Sequence, residues 1–149
     1  MADTYSFRNV TGAFAHSLAG AFTFSGNQGA GQIVIHMATE KAVQDVAADG
    51  NIMTSFVAGD NGTVTIECQQ TSELHAFLLA WFNVVKAYSL NGDASYWATA
   101  TLTLRDTLND KSHICQYIAP QNIPDKTYAA QGGRVTWTLM CGDIQSTII

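Results

Sequence analysis

A cysteine and a histidine that lie close together in the sequence come nearest to a catalytic pair. Cys68 and His75 could act as a nucleophile and its base, because a thiol needs a neighbouring group that takes its proton. Cys68, however, falls on the apolar side of an alternating segment, where a thiol fills space and stays protonated. Cys115 and Cys141 form no C-x-x-C pair with it. Three such cysteines are typical of buried thiols in a reducing compartment, so neither a disulfide framework nor a thiol enzyme is predicted.

Motifs for metal or phosphate binding are absent from the sequence as well. The histidines form no H-E-x-x-H pattern and no i, i+4 pair that would hold zinc, and they are scattered at His16, His36, His75 and His113. The glycines between Gly26 and Gly31 lack the spacing of a phosphate-binding loop. Asp45 and Asp49 belong to no calcium-binding loop. We therefore predict no catalytic residue, no metal site and no cofactor, and we expect that the protein is not an enzyme.

The charge composition disfavours several other classes of function. The 149 residues include 7 basic and 12 acidic side chains, and the basic residues form no patch that would bind nucleic acid tightly. No apolar run reaches the roughly 18 residues of a membrane-spanning helix, and the first residues do not resemble an export signal. Charged residues make up only 13% of the chain, about half the usual fraction. The length of the chain fits one domain over residues 1–149. Because interface cores are depleted of charge, we expect that this domain forms an obligate oligomer.

Most of the chain has the alternation that is typical of β-strands. Residues 20–26 and 31–38 flank a short polar, glycine-rich stretch, which predicts that these two segments form a hairpin. Residues 62–70 alternate strictly between polar and apolar side chains, as a half-buried antiparallel strand does. Further strands are predicted over residues 94–108, 112–119 and 134–141.

One segment has the period of a helix instead. From residue 72 to about residue 88, apolar side chains recur at i, i+3, i+4, i+7, i+8 and i+11. We assign this stripe to the face that packs on the core: Leu74, Phe77, Leu78, Trp81, Phe82 and Val85. Thr71 or Ser72 can cap the first turn, and Asn91 with Gly92 can end the helix. Strands on both sides of one helix predict a mainly β, α+β fold, an antiparallel β-sandwich or distorted barrel with the helix against it.

The stretch from residue 39 to residue 59 fits neither period. It has mixed charge, lies between two predicted strands, and is longer than most loops within compact domains. Two interpretations stay open from the residues alone. One is a short helix over residues 42–48 that packs on its own domain, and the other is a segment that binds a partner.

Five blocks along the chain are typical of a protein family and carry no catalytic meaning. They are YSFRNVTG at 5–12, MATEK at 37–41, DVAADG at 45–50, SFVAGDNG at 55–62 and QTSELH at 70–75. In these blocks the chain resembles the tail tube proteins of contractile-tailed bacteriophages over nearly its full length. The resemblance implies a structural virion protein. Six copies would form a ring whose strands make one continuous inner β-barrel, and the stacked rings would form the tube through which DNA is ejected into the host.

The resemblance also implies which residues make contacts in such a tube. In similar proteins the long loop reaches the neighbouring ring, which makes residues 39–59 the candidate stacking element, with contacts at Glu40, Lys41, Asp45, Asp49, Met53 and Phe56. Polar sides of two predicted strands are candidates for the lumen, or else face a surrounding sheath: Thr65, Glu67, Gln69, Thr99, Thr101 and Thr103. A lining with few charges and no rows of Lys or Arg would let negatively charged DNA slide.

The partners and the location are implied in the same way. We expect a sheath protein outside the tube, a tape-measure protein inside it during assembly, and baseplate and tail terminator proteins at its ends. Phage DNA would pass through without specific binding, in a virion tail that is assembled in the host cytoplasm. Two alternatives stay open. One is the tube of a related injection machine, such as a tailocin or a secretion system, and the other is a monomeric β-barrel that binds a small ligand.

Overall fold

Nine β-strands and one α-helix follow one another in the computed structural model, which describes residues 3–25 and 29–148. The strands are β1 (Val10–His16), β2 (Gly20–Ser25), β3 (Ala30–Met37), β4 (Ala42–Val46), β5 (Ile52–Phe56), β6 (Gly62–Gln69), β7 (Ala100–Asp106), β8 (Lys111–Asn122) and β9 (Arg134–Ile148). The helix, α1 (Glu73–Leu90), lies between β6 and β7. Short 3₁₀ turns at Phe7–Asn9 and Ala94–Tyr96 precede β1 and β7. The predicted mainly β fold with one helix near residues 72–88 is confirmed.

Seven of these strands form one antiparallel sheet in the order β2-β1-β7-β8-β9-β6-β3. The long strands β8 and β9 pair with each other from Lys111↔Ile148 to Asn122↔Thr138. The first half of β9 also pairs with β6. The remaining strands, β4 and β5, form a separate two-stranded sheet.

The predicted hairpin between residues 20–26 and 31–38 is wrong. β2 pairs with β1, and β3 pairs with β6, so the two segments lie at opposite edges of the sheet. Residues 26–28, which include the first two residues of the expected connection, lie outside the described residues. The alternation rules had not singled out β1, which is joined to β2 by a tight connection that ends at Gly20. The connections from β2 to β1 and to β3 are both short and cost similar loop-closure entropy, so the partner strands decide the pairing: β1 pairs with β2 over six residues, and β6 pairs with β3 over seven.

Covalent connectivity makes this sheet curl. Seven strands spaced about 4.8 Å apart would span roughly 29 Å in a flat sheet. The chain from Ser25 to Ala30 joins the two edge strands, and it reaches at most about 18 Å when fully extended. The edges therefore approach each other at one end, and the sheet forms a half-barrel.

The core lies between α1 and the inner face of the half-barrel. On α1, the side chains of Leu74, Leu78, Trp81 and Val85 are fully buried, while Phe77 and Phe82 are partly buried against the same cluster. Trp81 meets Phe14 of β1 edge to face, with ring centroids 4.9 Å apart. Phe77 stacks on Phe22 of β2 at 5.3 Å. Burial of these aromatic rings holds the helix against β1 and β2.

The ends of α1 follow the local signals in the sequence. The hydroxyl of Ser72 accepts a hydrogen bond from the backbone N–H of His75 at 3.2 Å, which caps the first turn. Asn91 is the C-cap, and Gly92 follows with φ +93°, a conformation that glycine adopts without a steric penalty.

Two predicted strand boundaries need correction. Residues 94–99 do not belong to β7, because Asp93 caps the 3₁₀ turn and accepts the N–H of Ser95 at 3.2 Å. A local cap of this kind competes with strand pairing. The last strand continues beyond residue 141 to Ile148, because β8 gives it a partner along that part of its length.

Candidate functional site

Residues 42–56 form a β-hairpin, so the alternative of a short helix over residues 42–48 is wrong. β4 and β5 pair antiparallel from Ala42↔Phe56 to Val46↔Ile52. The N–H of Ala47 donates to the carbonyl of Asn51 at 2.8 Å across the turn, where Gly50 has φ +87°. Asp49-Gly50 between two short segments is a strong hairpin signal, and it is the feature of the sequence that indicates this structure.

All ten strand residues of the hairpin are exposed. On one face the cross-strand pair Val46 and Ile52 is 64% and 57% exposed, and Phe56 is 84% exposed. On the other face Met53 lies opposite Asp45 and is 59% exposed. A two-stranded hairpin is at best marginally stable on its own, and exposed apolar groups of this size mark interaction sites. The hairpin therefore offers a partner apolar surface that its own subunit does not cover.

The root of the hairpin is attached to β9. The ammonium of Lys41 pairs with the carboxylate of Asp60, and the Nε2 group of Gln145 donates to the same carboxylate at 3.1 Å. The N–H of Ile144 donates to the carbonyl of Asp60 at 2.9 Å. The hydrogen bonds from Lys41 and Gln145 hold the pKa of the Asp60 carboxyl below its ordinary value. Lys41, a predicted ring contact, is thus engaged within its own chain.

The other predicted contacts in this region differ in how freely they face solvent. The carboxylate of Asp49 accepts the N–H of Asn51 at 3.0 Å and so belongs to the turn. Glu40 is exposed just before β4, and Asp45, Met53 and Phe56 lie on exposed faces of the hairpin. The hairpin thus carries acidic groups beside apolar ones. Val43, Val46 and Ile52 belong to the same exposed surface, although they were not predicted.

The side of the sheet that faces away from the core is rich in threonine. Strand register places Thr65 opposite Thr138, and Ala13 between Thr23 and Thr103. We call this surface the polar face, and its threonines are Thr11, Thr23, Thr63, Thr65, Thr101, Thr103, Thr136 and Thr138. Glu67 lies on it and forms an ion pair with Arg134, with Nη1 and Oε1 3.1 Å apart. This pair cancels its own charge, and Arg105, which lies opposite Thr11, adds one exposed cation to a surface that is otherwise mostly hydroxyl and methyl groups.

The predicted lumen residues separate into two groups. Thr65, Glu67, Thr101 and Thr103 lie on the polar face, and Gln69 is exposed at the end of β6. Thr99 is different, because it precedes β7 and its hydroxyl donates to the carbonyl of Tyr96 at 3.0 Å. The same hydroxyl lies 2.9 Å from Nε2 of the buried His16. Thr99 therefore holds the junction before β7 and does not join the other threonines.

The residues that suggested thiol chemistry are part of the core. Cys68 is fully buried, and burial raises the pKa of its thiol. His75 uses its Nδ1 atom to accept a hydrogen bond from the indole N–H of Trp137 at 3.0 Å. Burial, followed by the charge of Lys126, lowers the pKa of His75. A protonated thiol and a neutral imidazole that is already engaged fit a structural role.

The part of the chain that the structure describes contains neither a metal-binding cluster nor a membrane-spanning helix. In residues 3–25 and 29–148, no three His, Cys, Asp or Glu side chains come together as they would to hold a metal ion. In the same residues, no helix combines the length and the apolar character that are needed to cross a membrane.

Comparison with protein families gives one match that extends over almost the whole sequence. The model of the bacteriophage PhiTE tail tube protein matches residues 1–148. The comparison with curated proteins found no match.

Solved structures with a similar fold come from contractile injection systems. A chain of the sheath-tube complex of an extracellular contractile injection system, PVC, in the extended state has a TM-score of 0.61 and 12% identity, covering 98% of this chain and 93% of that one. A chain of the PVC sheath/tube terminator has a TM-score of 0.60 and 10% identity, covering 99% and 98%. A chain of the anti-feeding prophage baseplate has a TM-score of 0.57 and 14% identity, covering 99% and 97%. At these identities the similarity shows a shared fold.

Proposed function

The chain belongs to the bacteriophage PhiTE tail tube protein family and is a tail tube component, and from this premise we propose how it assembles. Six copies form a closed ring, and the rings stack into the inner tube of a contractile tail. The tube is the conduit through which the phage genome passes into the host. The observation that carries this proposal is the hairpin, whose apolar side chains have no core of their own. The protein acts as a structural element without catalysis.

The hairpin is the proposed contact between successive rings. It projects from the end of the sheet where β6 begins, and its root is fixed by the Lys41–Asp60 pair and by Gln145. A fixed root holds the exposed strands in one direction, so docking orders few additional groups. Phe56, Val46 and Ile52 supply apolar contact area, while Glu40, Asp45 and Asp49 supply polar contacts.

The two edge strands are the proposed contacts within a ring. β2 and β3 each have one neighbour in the sheet, so each has an edge that is open to another strand. Open edges are a risk for aggregation, and a closed ring removes them. The edges differ in sequence and length, so the contact between two copies is heterologous, which is the kind of contact that generates a ring.

The polar face is the proposed lining of the lumen. DNA carries about one negative charge per 1.7 Å of its axis, and rows of Lys or Arg would bind it tightly. The polar face has threonine hydroxyls, the self-neutralised pair of Glu67 and Arg134, and Arg105 as a single further cation instead of such rows. Such a surface lets DNA slide, because it makes few strong contacts with phosphates.

The partners follow from this arrangement. The similar chains come from assemblies described as a sheath-tube complex, a sheath/tube terminator and a baseplate. We propose that this protein likewise contacts a sheath along its outside and terminator and baseplate proteins at its ends. A tape-measure protein occupies the lumen during assembly in the host cytoplasm, and phage DNA occupies it afterwards.

The tube of an injection machine without a genome is the second candidate function. The structural similarity to tubes of extracellular contractile injection systems favours it as a related use of the same fold. The two functions differ in one respect, which is whether the native particles contain DNA. Nuclease-protected DNA in purified particles supports the phage tail, and its absence supports the injection machine.

Electron microscopy of the purified protein, together with its mass in solution, tests the assembly. We expect rings or striated tubes with a central channel and six-fold symmetry in class averages. Addition of a baseplate fraction should start polymerisation if the subunit alone is slow to nucleate. A protein that stays monomeric at high concentration, with and without the baseplate fraction, would contradict the proposal.

A charge introduced on the polar face tests the lining. Thr101→Lys adds an ammonium to that face, while Ala76→Lys adds one to the exposed side of α1, on the other side of the sheet. We expect tubes from both variants and slower DNA ejection from particles that contain Thr101→Lys alone. Equal ejection rates for the two variants would place the lumen elsewhere.

A further inference from the structure

A small cavity lies at the end of β6 that is opposite to the hairpin. It has a volume of about 180 Å³, and its walls are the apolar side chains Leu79 and Val135. Its polar lining consists of residues that can donate hydrogen bonds: Gln70, Thr71, His75, Lys126 and Tyr128. A cavity of this size accommodates one short side chain.

His75 supplies a buried donor in this lining. Its side chain is only 9% exposed, and its Nδ1 atom already accepts the indole N–H of Trp137. In a neutral imidazole the proton then resides on Nε2, which is a donor. Among the described residues no acceptor for this N–H is found, so a group that enters the cavity can use it.

Lys126 supplies positive charge at the same place. Two ion pairs occur among the described residues, and Lys126 belongs to neither of them. Its charge is close enough to His75 to disfavour protonation of the imidazole. The cavity also adjoins the first turn of α1, where Ser72 caps only one of the free backbone N–H groups and the helix dipole is positive. These groups together favour an anion.

The position of the cavity suggests where the anion comes from. The hairpin precedes Gly62 at one end of β6, and the cavity begins at Gln70 beyond the other end. The strand between them is about 23 Å long. Two copies that are stacked in the same orientation therefore bring the hairpin of one towards the cavity of the next. The exposed acidic groups in and just before the hairpin, Glu40, Asp45 and Asp49, are in no ion pair among the described residues.

We infer that this cavity binds a carboxylate from the hairpin of a second copy in the adjacent ring, where Lys126 and the Nε2–H of His75 hold it. The inference rests on the proposed stacking of rings and identifies the surface that receives the hairpin. The hairpin and the cavity lie at opposite ends of β6. The contact between two copies is therefore heterologous and repeats along the tube axis.

Carbodiimide coupling of assembled tubes tests this contact directly. The reagent joins an amine to a carboxylate that touches it, with loss of water. In tubes made from a mixture of ¹⁵N-labelled and unlabelled chains, we expect mixed-label peptides that join Lys126 to residue 40, 45 or 49. Coupling of Lys126 only to its sequence neighbour Asp125, or only within one chain, would overturn the inference.

Charge reversal at Lys126 tests how much the contact between the cavity and the hairpin contributes to assembly. Lys126→Glu should reduce the polymerised fraction by about tenfold, which corresponds to about 1.4 kcal/mol. Lys86→Glu is the matched control, because Lys86 is an exposed lysine on α1 that lies away from the cavity, and it should assemble normally. Asp45→Lys, Glu40→Lys or Asp49→Lys should restore assembly in the Lys126→Glu background. Normal assembly of Lys126→Glu, or no restoration by any of the three, would overturn the inference while the proposed function stands.

A free carboxylate is the other possible source of the anion. Acetate, compared with chloride at equal ionic strength, would then raise the Tm of the wild type and leave Lys126→Gln unchanged. If acetate acts in this way while charge reversal does not affect assembly, docking of the hairpin is overturned. A wild-type protein that remains monomeric overturns the proposed function, and this inference with it.

Discussion

The helix α1 and the hairpin of β4 and β5 place apolar side chains in opposite environments. In α1 the residues Leu74, Leu78, Trp81 and Val85 are fully buried by the half-barrel of the same chain. In the hairpin Val46, Ile52, Met53 and Phe56 are all more than half exposed. The first set therefore stabilises the subunit, and the second set can contribute only when another molecule covers it. Apolar side chains thus stabilise the fold in α1, whereas in the hairpin they are the proposed contact for assembly.

The largest effect is expected from truncation of the core side of α1. Trp81→Ala removes a fully buried ring that contacts Phe14, and such changes cost about 3–5 kcal/mol of unfolding free energy. Urea denaturation of the subunit measures this loss. Assembly should fail as well, because too little folded subunit remains. A Trp81→Ala protein with a wild-type midpoint would show that α1 is not the centre of the core.

The N-terminal cap of α1 should have an intermediate effect. Ser72→Ala removes the hydroxyl that accepts the N–H of His75, and loss of such a cap costs about 1 kcal/mol. Thr71→Ala is the matched control, since Thr71 is adjacent and exposed but is not the cap. Thermal denaturation of both variants measures the difference. Equal destabilisation by the two changes would contradict the assignment of Ser72 as the N-cap.

A smaller effect should depend on pH through His75. Burial lowers its pKa in the folded state, so the unfolded chain binds the proton more readily. The stability from neutral His75 is therefore fully present above the ordinary pKa of about 6.5 and is lost as the pH falls towards the lowered value. The denaturation midpoint of the wild type should therefore decline as the pH is lowered from 7.5 to 5. His75→Gln keeps an acceptor for Trp137 and should flatten that part of the decline; an unchanged slope would mean that other groups cause it.

The smallest effect on the subunit is expected in the hairpin. Phe56→Ala removes a ring of the same class as the one at Phe14, yet at 84% exposure it should change the unfolding free energy by less than about 0.5 kcal/mol. Tube formation, measured by sedimentation, should nevertheless fall strongly. Leu90→Ala, which truncates an apolar side chain that is 76% exposed at the end of α1, is the control. Strong destabilisation of the Phe56→Ala subunit would remove the contrast with α1.

The two regions were also unequally predictable. The stripe from Leu74 to Val85, the Ser72 cap and the stop at Gly92 all depend on residues within a few positions of one another. A helix closes its hydrogen bonds within its own segment, so its sequence contains the necessary information. The hairpin of residues 42–56 is less clear from sequence, because its mixed charge obscures the alternation and Asp49-Gly50 is its main turn signal.

The candidate surfaces were only partly predictable for a related reason. Alternation correctly places Thr65, Glu67, Thr101 and Thr103 on the side away from the core. It extends wrongly to Thr99, whose hydroxyl bonds to Tyr96 in a local turn. Lys41, for which a ring contact remains a prediction, pairs with Asp60 of its own chain. Such pairings depend on where distant segments meet, and spacing along the chain does not contain that information.

By itself the sequence determined the fold class, the position and ends of α1, and the family to which its blocks belong. Only the tertiary structure decided that β2 and β3 lie at opposite edges of the sheet, and that the cavity with His75 and Lys126 lies opposite the hairpin. The physical reason is the range of the interactions. Helix periodicity and caps are satisfied locally, whereas a strand has unpaired hydrogen-bonding groups on both sides and can satisfy them with any segment that the whole chain brings near.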